Sequence, residues 1–207
     1  MAVIEVFFVF ALQLLIIVDP VAAMPVFLAI TPRSTSEDRQ RMAVRACLVA
    51  FLVVVFFILV GPALLEFLKI ETPAVRICGG ILLFVIALEM LYGRVSGTET
   101  SPKEELLAQA KEDISITPLA IPLLAGPGTI ATALIFAGRA ASPLDYLALL
   151  VAAAVVFAVS CLVLRQTELL LKIIGRLGTK IMTRIMGLIL AFLAVQYVLD
   201  GLETAFT

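Results

Sequence analysis

Residues 16–25 read Ile-Ile-Val-Asp-Pro-Val-Ala-Ala-Met-Pro and lie within an apolar run that extends from residue 3 to residue 30. As a straight α-helix this run would measure about 42 Å at ~1.5 Å per residue, whereas the hydrocarbon core of a bilayer is about 30 Å thick. An aspartate followed directly by a proline also disfavours an uninterrupted helix at its centre. The stretch therefore predicts a transmembrane helix that is broken at Asp19 and Pro20.

The composition of the chain places this helix in an integral membrane protein. Of its 207 residues 62% are hydrophobic and 15% are charged, and the mean hydropathy is +1.16. A soluble domain holds roughly 45–50% apolar and about 25% charged residues, and disordered chains are poor in apolar residues. The net charge of −1 provides no basic surface for nucleic acid. We therefore expect the protein to have the lipid bilayer as a partner and not to bind nucleic acid.

Several chemical groups are absent from the sequence, and their absence narrows the function. There is no histidine, and Cys47, Cys78 and Cys161 stand far apart in apolar runs without the spacing of a metal site. The chain contains no phosphate-binding loop, no dinucleotide motif and no catalytic serine set. The sequence therefore predicts a protein that is not an enzyme and has no cofactor. Any transport would be passive, or secondary and coupled to a proton or a sodium ion.

Six segments are apolar and long enough, at about 20 residues, to cross a bilayer. They are residues 3–30, 46–65, 74–92, 114–137, 145–165 and 182–202. The fourth segment carries three prolines and two glycines, so we expect a second broken helix there. These residues are Pro118, Pro122, Gly126, Pro127 and Gly128. The predicted fold is an all-α polytopic membrane protein with six transmembrane helices, of which helices 1 and 4 are broken.

The positive charges predict how these helices are oriented. Twelve of the 15 Lys and Arg residues fall in or beside the first, third and fifth loops. Cytoplasmic loops carry the excess of such residues. We therefore expect the odd loops in the cytoplasm and both termini outside.

Two internal similarities in the sequence indicate a repeat. Residues 76–84 align without gaps to residues 184–192 and are identical at six of nine positions, and Pro20 and Pro25 match Pro122 and Pro127 in spacing. Three helices per half require the second half to enter the membrane in the opposite sense, as in the inverted 3+3 repeats of secondary transporters. We therefore divide the chain into a first repeat at 1–92, a cytoplasmic linker at 93–113 and a second repeat at 114–207.

The matched breaks are the predicted substrate site, because broken helices in equivalent positions of two repeats mark such sites near the bilayer midplane. A carboxylate in mid-span is costly and must face a cavity or a partner, so Asp19 would bind a substrate amine or carry a coupling ion. Asp19 also suits the simpler role of capping a half-helix that starts at Pro20, and the two roles are compatible. The predicted substrate-binding residues are Asp19, Pro20, Ala23, Pro25, Gly126, Pro127, Gly128 and Thr129.

Small residues around the second break indicate a small substrate. Gly126 and Gly128 allow a ligand to approach the backbone closely, and Thr129 adds a hydroxyl group. The N-terminal end of a half-helix offers unpaired N–H groups and a partial positive charge, which suit a carboxylate. Glycine flexibility or proline kinks for packing would also account for the pattern. Three further polar residues inside spans are predicted to hydrogen-bond between helices, namely Gln13, Ser160 and Gln196.

The motif at residues 19–28, followed by Thr31, resembles the first signature of the MarC family of bacterial inner-membrane proteins, and residues 121–130 resemble its second. One departure is that Ala22 and Ala23 stand where the family usually carries glycine and asparagine. The resemblance covers essentially the whole chain and implies six spans with the termini outside. It also implies kinship with small neutral amino-acid transporters and, more distantly, with LysE-like exporters.

Two hypotheses about function follow. The first is a secondary transporter in the bacterial inner membrane that exports small neutral amino acids, binding the amine at Asp19 and the carboxylate near Gly128 and Thr129. The second is a non-transporting membrane scaffold or accessory protein, in which the motifs serve helix packing alone. A polar site around Asp19 favours the first hypothesis, and a dry, packed centre favours the second. The sequence leaves the oligomeric state open.

Overall fold

A computed structural model describes residues 2–32, 34–93 and 124–206 of the chain, and these form helices without any β-strand. We number the described helices in chain order. They are α1 (Val3–Val18), α2 (Pro20–Ile30), α3 (Ser36–Phe67), α4 (Thr72–Tyr92), α5 (Pro127–Ala137), α6 (Pro143–Arg165) and α7 (Thr167–Phe206). The all-helical prediction is therefore confirmed for the described residues.

The first apolar run is broken at the predicted residue. Asp19 has φ 35° and ψ 69°, a left-handed conformation that ends α1 and starts α2. Aspartate tolerates this conformation better than most residues because its short polar side chain bonds to nearby backbone. Pro20 takes the first position of α2, where its missing N–H costs nothing. Pro25 lies inside α2 without ending it, so the break has one centre, at Asp19.

Among the described residues, five helical segments are long and apolar enough to cross a membrane. They are Val3–Ile30, Ser36–Phe67, Thr72–Tyr92, Pro143–Arg165 and Leu177–Phe206. Each contains or overlaps one of the predicted spans, and the described helices extend beyond them at both ends of span 2. Of the fourth predicted span, residues 114–137, the structure describes α5, an apolar helix of 11 residues that is too short to cross a bilayer alone.

The second predicted break is described from residue 124 onward. Gly126 is extended, with φ −67° and ψ 176°, and α5 begins at Pro127. A helix therefore starts at this point within the predicted fourth span. Pro118 and Pro122, together with the predicted linker at 93–113 beyond Gly93, lie outside the described residues.

Glycines bring α4 and α7 into close contact along their length. A Cβ on Gly80 would lie 2.6 Å from the carbonyl oxygen of Ala194, and one on Gly187 would lie 3.2 Å from the carbonyl oxygen of Ala87. Backbones approach this closely only where a side chain is missing, as is usual at helix interfaces in membranes. The aligned segments 76–84 and 184–192 therefore contain glycines that serve the same purpose.

Small residues also line the interface between α3 and α6. Ala43, Ala46 and Ala50 of α3 are fully buried, as are Ala152 and Ala153 of α6. These two helices pack against each other, and α1 packs on α6 as well. Since lipid is as apolar as these side chains, close van der Waals packing, rather than a hydrophobic driving force, holds such helices together.

The bundle has two distinct ends. At the first, which we call the basic end, α2 ends, α3 begins and α6 meets α7; Arg39, Arg41, Arg45, Arg165 and Lys172 lie there. At the second, which we call the far end, α3 meets α4, α5 meets α6, and α7 finishes. Near the basic end the chain of α7 turns at Gly175, which has φ 68° and ψ 170°.

Candidate functional site

Asp19 is buried, with 8% of its surface exposed, and its two carboxylate oxygens differ in their contacts. Oδ1 accepts a hydrogen bond from the backbone N–H of Ala22 at 3.1 Å and so caps α2. Oδ2 is buried and has no hydrogen-bond partner among the described residues. The predicted capping role is therefore confirmed, and one oxygen remains available for a ligand.

The first turn of α5 is a helix start without a side-chain cap. Gly126 holds the N-cap position and offers no side chain to accept from the N–H groups that follow. The first backbone N–H that bonds within the helix is that of Ile130, which donates to the carbonyl oxygen of Gly126 at 3.1 Å. The N–H groups of Gly128 and Thr129 precede it, and such groups have no partner inside the helix. Inside a membrane they need a ligand, a water molecule or a protein acceptor.

Gly128 joins the two breaks through direct packing. A Cβ at this residue would lie 2.5 Å from Cδ2 of Leu83 and 3.4 Å from Cγ2 of Ile17. Ile17 belongs to the last turn of α1, two residues before Asp19. The missing side chain of Gly128 therefore allows the start of α5 to lie directly against the end of α1.

The predicted site residues divide into a buried set and an exposed set. Asp19, Pro20, Ala23, Gly126, Gly128 and Thr129 are buried, whereas Pro25 and Pro127 are exposed. The Thr129 hydroxyl donates to the carbonyl oxygen of Leu124 at 3.2 Å and so closes the turn before α5. The two exposed prolines shape their helices and do not face the packed region between the breaks.

A second polar layer, which sequence reasoning missed in part, lies one helical turn along α5 from Thr129. The hydroxyl of Tyr197 on α7 donates to Oε1 of Gln13 on α1, which confirms the predicted interhelical bond of Gln13. Thr132 of α5 lies beside Tyr197 and is fully buried. The hydroxyl groups of Thr132 and Tyr197 are close enough to interact, but that of Thr132 makes no hydrogen bond of normal geometry among the described residues. The signal was present in the sequence, since Thr129 and Thr132 stand three apart and share one helix face.

Replacing Thr132 by valine separates packing from function. Valine keeps the shape of the side chain and removes a buried, unpartnered hydroxyl, so we expect the protein to become more stable by about 1 kcal/mol. If the hydroxyl serves a passing substrate, flux should fall in the same variant. Thermal unfolding and flux measured on one preparation check both effects, and a loss of stability would contradict the assignment of Thr132 as unpartnered.

Beyond this layer the far end is closed by aromatic and charged contacts. The rings of Phe10 and Phe136 pack with centroids 5.1 Å apart. Nη2 of Arg139 then donates to Oδ2 of Asp200 at 3.0 Å, and Nη1 of Arg76 donates to the hydroxyl of Thr204 at 2.9 Å. Polar and charged groups thus continue from the breaks toward the far end, interrupted by one aromatic pair.

Two further polar residues serve their own helices. The hydroxyl of Ser160 donates to the carbonyl oxygen of Val156 at 2.9 Å, and Nε2 of Gln196 donates to Asp200 at 2.6 Å. Within the part of the chain that the structure describes, neither Ser160 nor Gln196 makes the predicted interhelical bond. A serine hydroxyl in a helix can donate a hydrogen bond to the carbonyl oxygen four residues earlier. A glutamine can likewise donate to an acidic side chain four residues later on the same helix face.

The two breaks offer complementary chemistry. A carboxylate oxygen of Asp19 accepts hydrogen bonds and attracts a cation, whereas the uncapped start of α5 offers N–H donors and the positive end of a helix dipole. The first matches an ammonium group and the second matches a carboxylate. The residues at the breaks are closely packed, since Ala23 is buried and Gly128 lies against Leu83 and Ile17.

The comparisons with known proteins agree on one family. The model of the MarC family integral membrane proteins matches residues 4–206. The UPF0056 inner membrane protein YhgN of Escherichia coli (strain K12) is 33% identical over 193 residues, which cover 93% of this chain and 94% of that protein. A UPF0056 membrane protein of Aquifex aeolicus is 35% identical over 192 residues, which cover 93% and 90%.

A third relative extends the likeness to another bacterial group. The UPF0056 membrane protein YvbG of Bacillus subtilis (strain 168) is 32% identical over 196 residues, which cover 94% of this chain and 93% of that protein. No solved structure matches the chain. Since the family model spans nearly the whole sequence and these relatives align from end to end, the chain belongs to the MarC family of integral membrane proteins.

Proposed function

We propose that the protein is a secondary transporter of small neutral amino acids in the bacterial inner membrane. The substrate amine binds Oδ2 of Asp19, and the substrate carboxylate binds the N–H groups at the start of α5. One observation carries the proposal: Asp19 has a buried carboxylate oxygen without a partner among the described residues, and Gly128, at the uncapped start of α5, packs against Ile17, two residues before Asp19.

The architecture that belongs to this proposal is the inverted 3+3 repeat with six spans. It is supported by the break at Asp19, by the start of α5 at Pro127 and by the close glycine contacts between α4 and α7, the helices that carry the two aligned segments. In this arrangement both termini face outward and the basic end faces the cytoplasm, as the excess of Lys and Arg there favours. The halves rock about the site between the breaks and export the substrate.

Counterflow tests the proposal whichever ion is coupled to transport. Proteoliposomes loaded with unlabelled alanine or glycine should accumulate the labelled amino acid faster than empty liposomes, because exchange needs no gradient. Repeating the measurement as net flux with an imposed proton or sodium gradient identifies the coupling ion. Counterflow equal to that of empty liposomes for both amino acids would contradict the proposal and favour the scaffold hypothesis.

A further inference from the structure

A cavity of about 290 Å³ opens at the basic end of the bundle, away from the two breaks. Its inner wall includes Phe27 of α2 and Leu164 of α6, which are almost fully buried. Its outer wall comes from the start of α3 and from the junction of α6 with α7, and includes Ser36, Gln166 and Thr167. The volume lies near the lower limit for small-molecule sites, which are typically ~300–1,000 Å³. The cavity therefore suits a small ligand.

The side chains around this cavity are positively charged overall. Arg39, Arg165 and Lys172 line it together with one acid, Glu168, which gives these four residues a net charge of +2. Arg39 also forms an ion pair with Glu168 across the cavity's outer wall. Charge of one sign in a low-dielectric cleft concentrates ligands of the opposite sign. An anion is the ligand that this lining selects.

Arg39 is the residue best placed to hold that anion. Its side chain is only 19% exposed, and its Nη2 donates to the carbonyl oxygen of Ser34 at 2.9 Å. Its Nε is buried and has no acceptor among the described residues. A buried donor without a partner is costly, and guanidinium groups bind carboxylates through two parallel N–H groups. A ligand carboxylate in the cavity would give the Nε–H of Arg39 an acceptor.

We propose that this cavity is an entry site in which Arg39, helped by Arg165 and Lys172, binds the carboxylate of a substrate before it reaches the breaks. The inference rests on the proposed transport function. Phe27 connects the two sites, since it lines the cavity and belongs to α2, the helix that Asp19 caps. Eight residues of helix place the ring about 12 Å along α2 from Asp19. Phe27 and Leu164 therefore separate the entry site from the breaks.

Thermal unfolding of the full chain in detergent tests the site with acetate, which carries the carboxylate alone. Rising acetate should raise the unfolding midpoint of the wild type more than equal sodium chloride, because a ligand of the native state stabilises it. Methylamine should have no such effect. In Arg39→Gln the apparent affinity for acetate should fall about tenfold or more, the effect of losing a charge-assisted bond. Lys172→Gln, which keeps the pair between Arg39 and Glu168, should lower the apparent affinity for acetate by about two- to fivefold.

Arg41→Gln is the matched control, because Arg41 lies on the same helix, is 68% exposed and pairs with Glu37 outside this cavity. It should keep the wild-type response to acetate. An equal acetate response in Arg39→Gln and Arg41→Gln would overturn the proposal. So would stabilisation by phosphatidylglycerol in mixed micelles without any by acetate, because the cavity would then hold a lipid phosphate.

Flux measurements keep this inference separate from the transport proposal. If wild-type protein shows counterflow and Arg39→Gln responds to acetate as the wild type does, the entry site is wrong and transport stands. If wild-type protein shows no counterflow while Arg39→Gln alone loses the acetate response, transport is wrong and the cavity remains an anion site. In the expected case, Arg39→Gln raises the alanine concentration needed for half-maximal flux from the basic end by about tenfold.

Discussion

Asp19→Asn is expected to reduce alanine counterflow by about 10- to 100-fold, the range that corresponds to losing a hydrogen bond to a charged group. Asparagine keeps the oxygen that accepts from the N–H of Ala22, and it tolerates the left-handed backbone at this residue. The cap and the break should therefore survive, and only the negative charge is lost. Flux per unit of reconstituted protein measures the effect.

Two comparisons show whether the loss comes from the charge. Glu5→Gln removes a carboxylate from the exposed first turn of α1 and should leave flux unchanged. Asp19→Ala removes the charge and the cap together, so it should lower stability by about 1 kcal/mol as well as flux. Full flux in Asp19→Asn would mean that Asp19 serves as a cap alone.

The largest expected effect on stability comes from Gly80→Ala. The new Cβ would lie 2.6 Å from the carbonyl oxygen of Ala194 and 3.1 Å from the backbone nitrogen of Val198. These are backbone atoms of α7, so the clash is relieved only by separating α4 from α7. Overpacking of this kind costs about 1–3 kcal/mol. The unfolding midpoint in detergent should fall clearly below that of the wild type.

Gly178→Ala provides the matched control on α7. A Cβ there would lie 2.8 Å from Cγ2 of Ile174, a side-chain methyl close to Gly178 in sequence and not the backbone of another helix. The contact can therefore be relieved locally, without separating α4 from α7. We expect Gly178→Ala to lower stability less than Gly80→Ala does. Equal destabilisation by both substitutions would contradict the account of a close contact between the backbones of α4 and α7.

The break at Asp19 was predictable because its causes are local. An aspartate followed by a proline combines an N-cap, a first-turn proline and a side chain that permits left-handed backbone. The start of α5 at Pro127 follows from the same logic, since extended Gly126 precedes a first-turn proline. Local residue types thus predicted the two breaks, whereas helices such as α3 extend beyond the predicted spans.

The partners of the buried polar groups were harder to predict because they depend on packing between distant segments. Gln13 meets Tyr197 across 184 positions of sequence, and nothing local specifies that contact. Ser160 and Gln196 found partners within their own helices instead. Likewise, spacing predicted Pro25 and Pro127 as site residues, but helix geometry leaves both exposed while Asp19 and Gly128 are buried.

The cavity beside Arg39 shows a further limit of sequence reasoning. Positive charges in the first and fifth loops indicate orientation, and that interpretation explains their number. Their convergence on one cavity requires the start of α3 to meet the junction of α6 with α7, which the structure shows. A positively charged loop residue that sets the orientation in the membrane can thus also bind a ligand.

The most direct test of the central claim is competition in the alanine counterflow assay. In the proposed site the substrate amine binds Asp19 and the substrate carboxylate binds the start of α5, so both groups are needed. Unlabelled alanine should block the flux of labelled alanine, whereas propionate and alaninamide should compete about tenfold or more weakly, because each lacks one group. Equal competition by either analogue, or no alanine flux to compete for, would contradict the account.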